Sequence, residues 1–420
     1  MRTTTAFITA SAAVAVAAIV SAASVNGGVP WRRTSAVQDT GSLAGEAGLA
    51  VWRTGDSVTV GWLTDGAVPG RLAVFTNGRS IFNTTTPADT AHRATFRADA
   101  GDVLRLVHGG SDAATAFETV IRPDPGDRKP RTEWPAPDSL IVISDIHGEY
   151  DRMAAVLRNA GVLDSQMQWV GGSKQLVIVG DVFDRGAQTV RTLWFLYALE
   201  QQAETAGGRM HLVLGNHELM VMLGDLRYLS TVDSTVARLH GTTFDHMYHP
   251  SESVIGRWLV GKPGILRIGD LLFAHGGVST DYVQWGLDAF GDTLFAYTHE
   301  ELFNRWTDST YVAPMDSATF ARRWDFLSGS RSVFWYRGYA RSDTLEAQLD
   351  SILDRFGART HVVGHTPHPT ITQSYGGRLV DVNTVPFAAE ALLLVRRGDS
   401  WDRFRIRESG PPEPLEPTGS

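Results

Sequence analysis

The spacing of apolar residues changes along this chain. Across residues 47–122 they alternate with polar ones in short runs, at 57–62, 71–75, 93–96 and 103–107, punctuated by Gly, Asp, Asn and Pro. Period-two alternation with such punctuation predicts strands and turns, with turns expected at 84–87 and 108–110. So short a stretch suits a small immunoglobulin- or fibronectin-like β-sandwich. From residue 139 the pattern differs. Unbroken apolar runs at 140–143, 175–179 and 210–214 have the character of strands buried on both faces. Helical periods lie between them, at 153–163 and, strongly amphipathic, at 190–203. This βαβαβ alternation predicts parallel pairing with right-handed crossovers. Runs at 271–274, 360–363, 378–381 and 391–395 supply further strands. Segments 226–262 and 280–332 mix polar with aromatic residues and predict helical insertions at a site mouth.

The flanks complete the domain plan. Arg2 precedes an uncharged stretch from Ala6 to Ser24 ending in small residues, so 1–24 reads as a signal peptide and 25–46 as a flexible linker. The alternative is an uncleaved anchor, the one way this chain is expected to meet a membrane. The prolines of 123–138 predict a stiff linker between the β domain at 47–122 and a larger domain at 139–405. Residues 406–420, rich in Pro, Glu and Gly, predict a disordered tail. The expected location is exported, periplasmic or extracellular.

Composition narrows the chemistry. With no cysteine, disulfides, thiolate ligands and cysteine nucleophiles are excluded together. A net charge of −8 and the absence of a basic block argue against nucleic acid as a partner. Phosphate chemistry would then depend on local cations, either metal ions or a few arginines.

Five short segments carry that possibility: Asp145-Ile146-His147, Gly180-Asp181-Val182-Phe183-Asp184-Arg185-Gly186, Gly215-Asn216-His217-Glu218, Ala274-His275-Gly276-Gly277 and Gly364-His365-Thr366. Each follows a strand-like run, and in open α/β sheets functional groups gather beyond the carboxyl ends of strands. A two-metal site needs a shared carboxylate and several O and N ligands. Asp145 and His147 suit one ion, Asn216, His275 and His365 the other, with Asp181 between them. Carboxylate, amide and imidazole donors without sulfur suit Mn, Fe or Zn, divalent or trivalent.

These residues closely resemble the calcineurin-like metallophosphoesterases over about residues 140–385. The Asp-Arg-Gly and His-Glu forms lie nearer the phosphoprotein phosphatase branch. Trp335-Tyr336-Arg337-Gly338 and His275-Gly276-Gly277-Val278-Ser279 look like the Shewanella-like phosphatases. The resemblance implies an αββα sandwich of two mixed sheets flanked by helices. It also implies metal ligation by Asp145, His147, Asp181, Asn216, His275 and His365. His217 would be the general acid, steadied by Asp184, and Arg185 and Arg337 would grip the phosphoryl oxygens alongside Asn216. Two features depart from relatives of the family. Leu214 stands where eukaryotic-type protein phosphatases carry arginine, and Asp184 stands where purple acid phosphatases have a metal-bound tyrosine. Glu218 and Glu149 are expected to be hydrogen-bonding supports, and His368 structural.

The function expected is an exported binuclear phosphatase hydrolysing phosphomonoesters, phosphoproteins and phosphotyrosine among them, by direct attack of a metal-bridging hydroxide. A nucleotidase or dinucleotide-polyphosphate hydrolase is the alternative with the same site. A non-catalytic envelope binding protein is the alternative from another class. Oligomeric state is not legible.

Overall fold

Strands β1 (Ala50–Thr54), β2 (Ser57–Thr76), β3 (Arg79–Arg97), β4 (Leu104–Gly110) and β5 (Ala116–Ile121) make one antiparallel sheet. The computed structural model describes residues 42–112, 116–123, 129–299 and 316–415; the segment 1–24, most of 25–46 and Trp306 lie outside them. Two strands of 20 and 19 residues replace the short runs expected. Thr84 and Thr85 pair with Leu72 and Arg71 inside the β2–β3 ladder, and His108 to Gly110 pair with β2, so neither segment is a turn. Pro69 and Gly70 fall at one of three register shifts in that ladder, where a bulge bends the strand rather than ending it. β2 therefore lies between β1 and β3 at one end and between β4 and β3 at the other. Val60, Trp62, Leu72, Val74 and Leu106 are fully buried within the bend.

The larger unit is built on two mixed six-stranded sheets. One runs β17-β16-β15-β7-β8-β9: β7 (Ser139–Ile143), β8 (Gln175–Val179) and β9 (Arg209–Val213) are parallel, while β15 (Glu390–Arg397), β16 (Ser400–Arg407) and β17 (Glu413–Pro414) add antiparallel. The other runs β13-β14-β12-β11-β10-β6, from β6 (Glu133–Trp134), β10 (Ile265–Ile268), β11 (Leu271–Ala274), β12 (Thr360–Val363), β13 (Thr372–Ser374) and β14 (Leu379–Asp381). The pleat sends alternate residues to opposite faces. Leu140 and Val142 of β7 join Leu266, Leu271 and Phe273 in the core between the sheets, whereas Ile141 and Ile143 face the helical layer.

Helices α1 (Tyr150–Asn159), α2 (Thr189–Thr205), α3 (Asn216–Met222), α4 (Thr231–Leu239), α5 (Val254–Val260), α6 (Leu287–Thr298), α7 (Ser317–Ser328), α8 (Gly338–Arg341) and α9 (Glu346–Phe356) complete the fold. α1 and α2 are the crossovers of the βαβαβ unit, and α4 to α7 are the expected insertions. Two expectations about the flanks are corrected. The connector forms β6 and pairs with β10, so it is docked as an edge strand. The tail continues β16 to Arg407 and returns as β17, with Leu415 buried and its carbonyl accepting from Gln373 Nε2 at 2.9 Å.

α2 departs from its amphipathic reading, since every residue from Thr189 to Leu199 is buried. A helix buried on all faces has neighbours on all faces. Its inner side packs on the sheet, and its outer side meets the β module, where Trp194 Nε1 donates to the Leu49 carbonyl at 2.9 Å. Trp62, Trp194 and Ile141 belong to one continuous core cluster. The β module is thus an outer wall of the larger unit.

Trp194→Phe keeps most of the buried ring and strips the Leu49 carbonyl of its donor, which costs about 1–3 kcal/mol for a buried polar group left unpaired. Urea unfolding of the variant should show this loss with an unchanged slope. Stability within about 0.5 kcal/mol of the parent, the range of neutral surface substitutions, would mean that this bond does not join the two units.

Candidate metal centre

Six strands of the two sheets point their carboxyl ends at one spot. β7 leads to Asp145 and His147, β8 to Asp181, β9 to Asn216 and His217, β11 to His275, β12 to His365, and β14 to Asp381 and Asn383. The loops after these strands are sharply bent. Among ten described non-glycine residues with positive φ, six are Asp145, His147, Asp181, Asp184, Arg185 and His365. Such conformations are costly and persist where the surroundings enforce them, typically at functional sites. Two glycines make the close approach possible. A Cβ on Gly215 would stand 2.3 Å from Asp181 Oδ1, and one on Gly364 would stand 2.1 Å from Ser144 Oγ.

Asp181 is the meeting point. Its Oδ2 lies 3.0 Å from His275 Nε2, 3.7 Å from His147 Nε2 and 3.9 Å from His217 Nε2, while Oδ1 accepts the His217 backbone N–H at 3.0 Å. Two triads of ligand-type atoms share it, His147–Asp181–His217 and Asp181–His275–His365, all buried and each within 4.8 Å. Asn216 Oδ1 is 3.1 Å from His275 Nε2, which adds it to the second group. Asp145 belongs to neither triad; its Oδ1 is 3.9 Å from His147 Nε2.

The surrounding bonds set which atoms face inward. His147 Nδ1 donates to the Phe183 carbonyl and His275 Nδ1 to the Val179 carbonyl, both at 2.7 Å, so each turns Nε2 inward as the atom that would bind an ion once it carries no proton. His365 Nε2 is buried without a partner. A buried ring nitrogen with nothing to bond is what a ligand position leaves behind when its ion is absent. Glu218, expected as a support, accepts the N–H groups of Asp181 (2.9 Å), Val182 (2.7 Å) and Gly215 (2.6 Å). It fixes two ligand loops with one carboxylate. Glu149 instead pairs with Arg152, and His368 with Asp381 at 3.3 Å, so neither enters the centre.

Beside the cluster, His217 Nδ1 lies 2.5 Å from Asp184 Oδ2, and Arg185 Nη2 lies 3.4 Å from His217 Nε2. Burial works against a charged His217, yet the carboxylates of Asp181 and Asp184 prevail and hold its pKa above the ordinary value. Arg337 reaches the same spot from the other side, donating to the His365 carbonyl with Nη2 3.4 Å from His365 Nδ1. All ten residues read from the sequence therefore converge.

Charge balance describes what the donors lack. Burial is the largest influence on Asp145 and pushes it up to about 7. Burial opposes charging His275, but the Asp181 and Asp145 carboxylates overcome it and raise His275 to about 9. Left to itself the cluster holds protons where a cation would otherwise neutralise it, and cation binding would displace them. Buried carboxylates, an amide oxygen and imidazoles free of sulfur fit Mn, Fe or Zn.

The motifs did not reveal four residues. Asn383 Nδ2 donates to Asp145 Oδ1 at 2.8 Å, and Ser144 Oγ to Asp145 Oδ2 at 2.5 Å. Phe387 packs 4.4 Å from His147, and the Arg185 guanidinium lies between the rings of Phe387 (5.5 Å) and Tyr228 (5.1 Å). Asn383 follows a strand run as the recognised ligands do, and that position was its available signal. Tyr228 was visible only as an aromatic in an insertion.

The sequence model for calcineurin-like phosphoesterases matches residues 139–369. Shewanella-like protein phosphatase 2 of Arabidopsis thaliana is 25% identical over 281 residues, 56% of this chain and 68% of that one. Shewanella-like protein phosphatase 1 of Plasmodium berghei is 25% identical over 55% of this chain and 62% of its own length. The crystal structure of a cold-active protein-tyrosine phosphatase from a psychrophilic Shewanella species superimposes with a TM-score of 0.69 at 27% identity, covering 88% of this chain and 99% of that one.

Glu218→Gln retains one acceptor oxygen and turns an amide N–H₂ toward backbone donors. Metal affinity, read by competition with a chromogenic chelator, should fall by about tenfold to a hundredfold, as when other groups that hold ligands in place are altered. Affinity equal to the parent's would show that the three N–H bonds do not hold the ligand loops.

Proposed function

Because the chain belongs to the calcineurin-like phosphoesterases, we propose that it is a binuclear metal-dependent phosphatase acting on phosphomonoesters, aryl phosphates such as phosphotyrosine included. One observation carries this reading: the buried Asp181 carboxylate stands between the two ligand groups, its Oδ2 3.7 Å from His147 Nε2 and 3.0 Å from His275 Nε2. Asp145, His147 and Asp181 would hold one ion, and Asp181, Asn216, His275 and His365 the other. Bound there, the ions would polarise the phosphoryl group and lower the pKa of water enough to furnish a nucleophile at neutral pH.

The protein's own groups do the rest. Arg185 and Arg337 match phosphoryl oxygens with fork-shaped donor pairs. His217 gives a proton to the leaving oxygen. Asp184 Oδ2, against Nδ1, aims the other ring nitrogen at the reaction and favours the protonated ring. Tyr228, 43% exposed, sits 5.3 Å from the His217 ring and flanks Arg185, so a flat leaving group has an aromatic surface beside it. The similarity to a protein-tyrosine phosphatase supports that preference. Leu214 in place of arginine weighs against a substrate class that needs a third guanidinium.

A bis(5'-nucleosyl)-tetraphosphatase of Bacillus subtilis is 27% identical over a third of this chain, so dinucleotide polyphosphates form the second reading. We propose further that the apolar stretch ending near Ser24 directs export. Among the described residues no helix is long and apolar enough to cross a membrane. Amino-terminal sequencing of the natural protein would overturn export if residues 1–24 were retained on a cytosolic species.

Initial rates across pH with an aryl phosphate and Mn²⁺ test the mechanism. Asp181→Asn should abolish turnover. Asp184→Asn should lower kcat by about 10²–10⁴-fold, the range for general acid catalysis. Since a raised His217 pKa keeps the acid form present to higher pH, losing Asp184 should also move the alkaline limb to lower pH. An unmoved limb would remove His217 from the acid role, and faster cleavage of diadenosine tetraphosphate than of any monoester would favour the second reading.

A further inference from the structure

The two carboxylates of the metal centre are held to different degrees. Asp145 Oδ2 accepts the His365 N–H at 3.0 Å and faces Ser144 Oγ at 2.5 Å. The Ser144 hydroxyl also stands 2.9 Å from the Val179 carbonyl, but it has one proton and the carboxylate is the stronger acceptor. Asp145 Oδ1 accepts from Asn383 Nδ2 at 2.8 Å. A carboxylate offers about four acceptor positions over its two oxygens. Among the described residues three donors fill them, and the position left open is on Oδ1, the oxygen 3.9 Å from His147 Nε2. Asp181 is more open: the His217 N–H reaches its Oδ1, and its Oδ2 meets imidazole nitrogens.

Ser144 and the His365 N–H both act on Oδ2, so the direction of the open position on Oδ1 depends on Asn383. That residue is buried and its backbone is gripped on both sides. Its N–H donates to Asp381 Oδ1 at 3.0 Å, and its carbonyl accepts the His368 N–H at 3.1 Å. His368 Nε2 in turn stands 3.3 Å from Asp381 Oδ2, and the His368 carbonyl accepts the Val385 N–H at 2.8 Å. The amide's orientation follows from its neighbour, because turning it over would set Oδ1 against a carboxylate oxygen. As it stands, Asn383 Oδ1 is buried without a donor. An unmet amide oxygen in the interior is costly, and a leucine of similar shape would avoid that cost. What a leucine lacks is the N–H on Asp145.

We propose that Asn383 is a positioning residue that confines Asp145 to one oxygen and one ion. With Oδ2 filled and Oδ1 half filled, Asp145 has a single position to offer, and the shared place falls to Asp181. The assignment rests on the two-metal reading above and adds to it a residue that lies outside the motifs. His368 and Asp381 belong to the same device, since they brace the backbone that carries the amide.

Titration of Mn²⁺ into the full, metal-free chain, followed by electron paramagnetic resonance, tests this without turnover. The parent should take up two ions and show the spectrum of a coupled pair. Asn383→Leu should bind one of them about tenfold to a hundredfold more weakly, the range for groups that hold a ligand in place. It should show the spectrum of an isolated ion until that site fills, with the other ion's affinity at the parent's value. Asn383→Ala carries the same test if the leucine variant does not fold. Parent-like affinity for both ions in the variants overturns the assignment and leaves the two-metal reading standing. An equal weakening of both ions also overturns it, since Asn383 would then be a general support of the fold. A parent that binds no ion pair overturns the two-metal reading and this inference with it.

Discussion

Everything at the catalytic end depends on one electrostatic constraint: Asp181 and Asp145 are carboxylates held 2% exposed in a pocket whose nearest positive groups are imidazoles. Burying like charges together is unfavourable unless positive charge is supplied from protons or from metal. The fold commits to that arrangement before any ion arrives. Strand ends from both sheets deliver the groups, left-handed residues turn them inward, and Glu218 spends a buried carboxylate on three backbone N–H groups instead of on a ligand. A surface pair would be indifferent to such detail. A buried one is not, because each unpaired polar group there bears its full desolvation cost.

The β module enters the same argument through α2. That helix begins three residues after the Asp181–Gly186 loop and is buried all round over its first three turns, so its outer face needs a cover. Trp194 and Leu49 supply part of it, and Trp52 bridges to Ser253 beside α5. His240 Nε2 and the Gly48 carbonyl, 3.0 Å apart, add a polar contact at the seam. The module therefore steadies the two segments that flank the metal loops, α2 on one side and α5 with Pro263 on the other.

Much of this was legible in the sequence because the ligand loops are short, local and chemically restrictive. A tight turn after a buried strand, ending in Asp, His or Asn beside glycine, admits few structures and few purposes. The βαβαβ core was legible for the same reason, since Leu140, Val142, Val177 and their neighbours leave no polar face. What was hidden depends on partners far along the chain. The sequence separates runs at 57–62 and 71–75, yet pairing with β3 and β4 carries β2 through the interval between them. The Pro- and Glu-rich tail has the composition of a disordered segment, but Glu413 pairs with both Arg405 and Arg407, and Leu415 finds a buried position. α2 looked amphipathic because its outer cover comes from residues some 145 positions away. Asn383, Phe387 and Tyr228 carry no motif, and only folding sets them beside Asp145, His147 and Arg185.

The charge balance of the metal centre follows from topology. It gathers negative and neutral donors at the parallel strand ends, and among the described residues no arginine pairs with Asp181 or Asp145; Arg185 and Arg337 stand outside, against His217 and His365. The seam between the two units is knitted differently, by Glu200 accepting from Lys262, Arg122 and Trp258. A continuous core cluster spans the β module and the helical layer behind the centre, so the fold can bear buried carboxylates there. Packing does not explain that arrangement, because neutral side chains of similar shape would fill the same places at lower cost. The consistent account is that the cluster is completed from outside the chain, by cations.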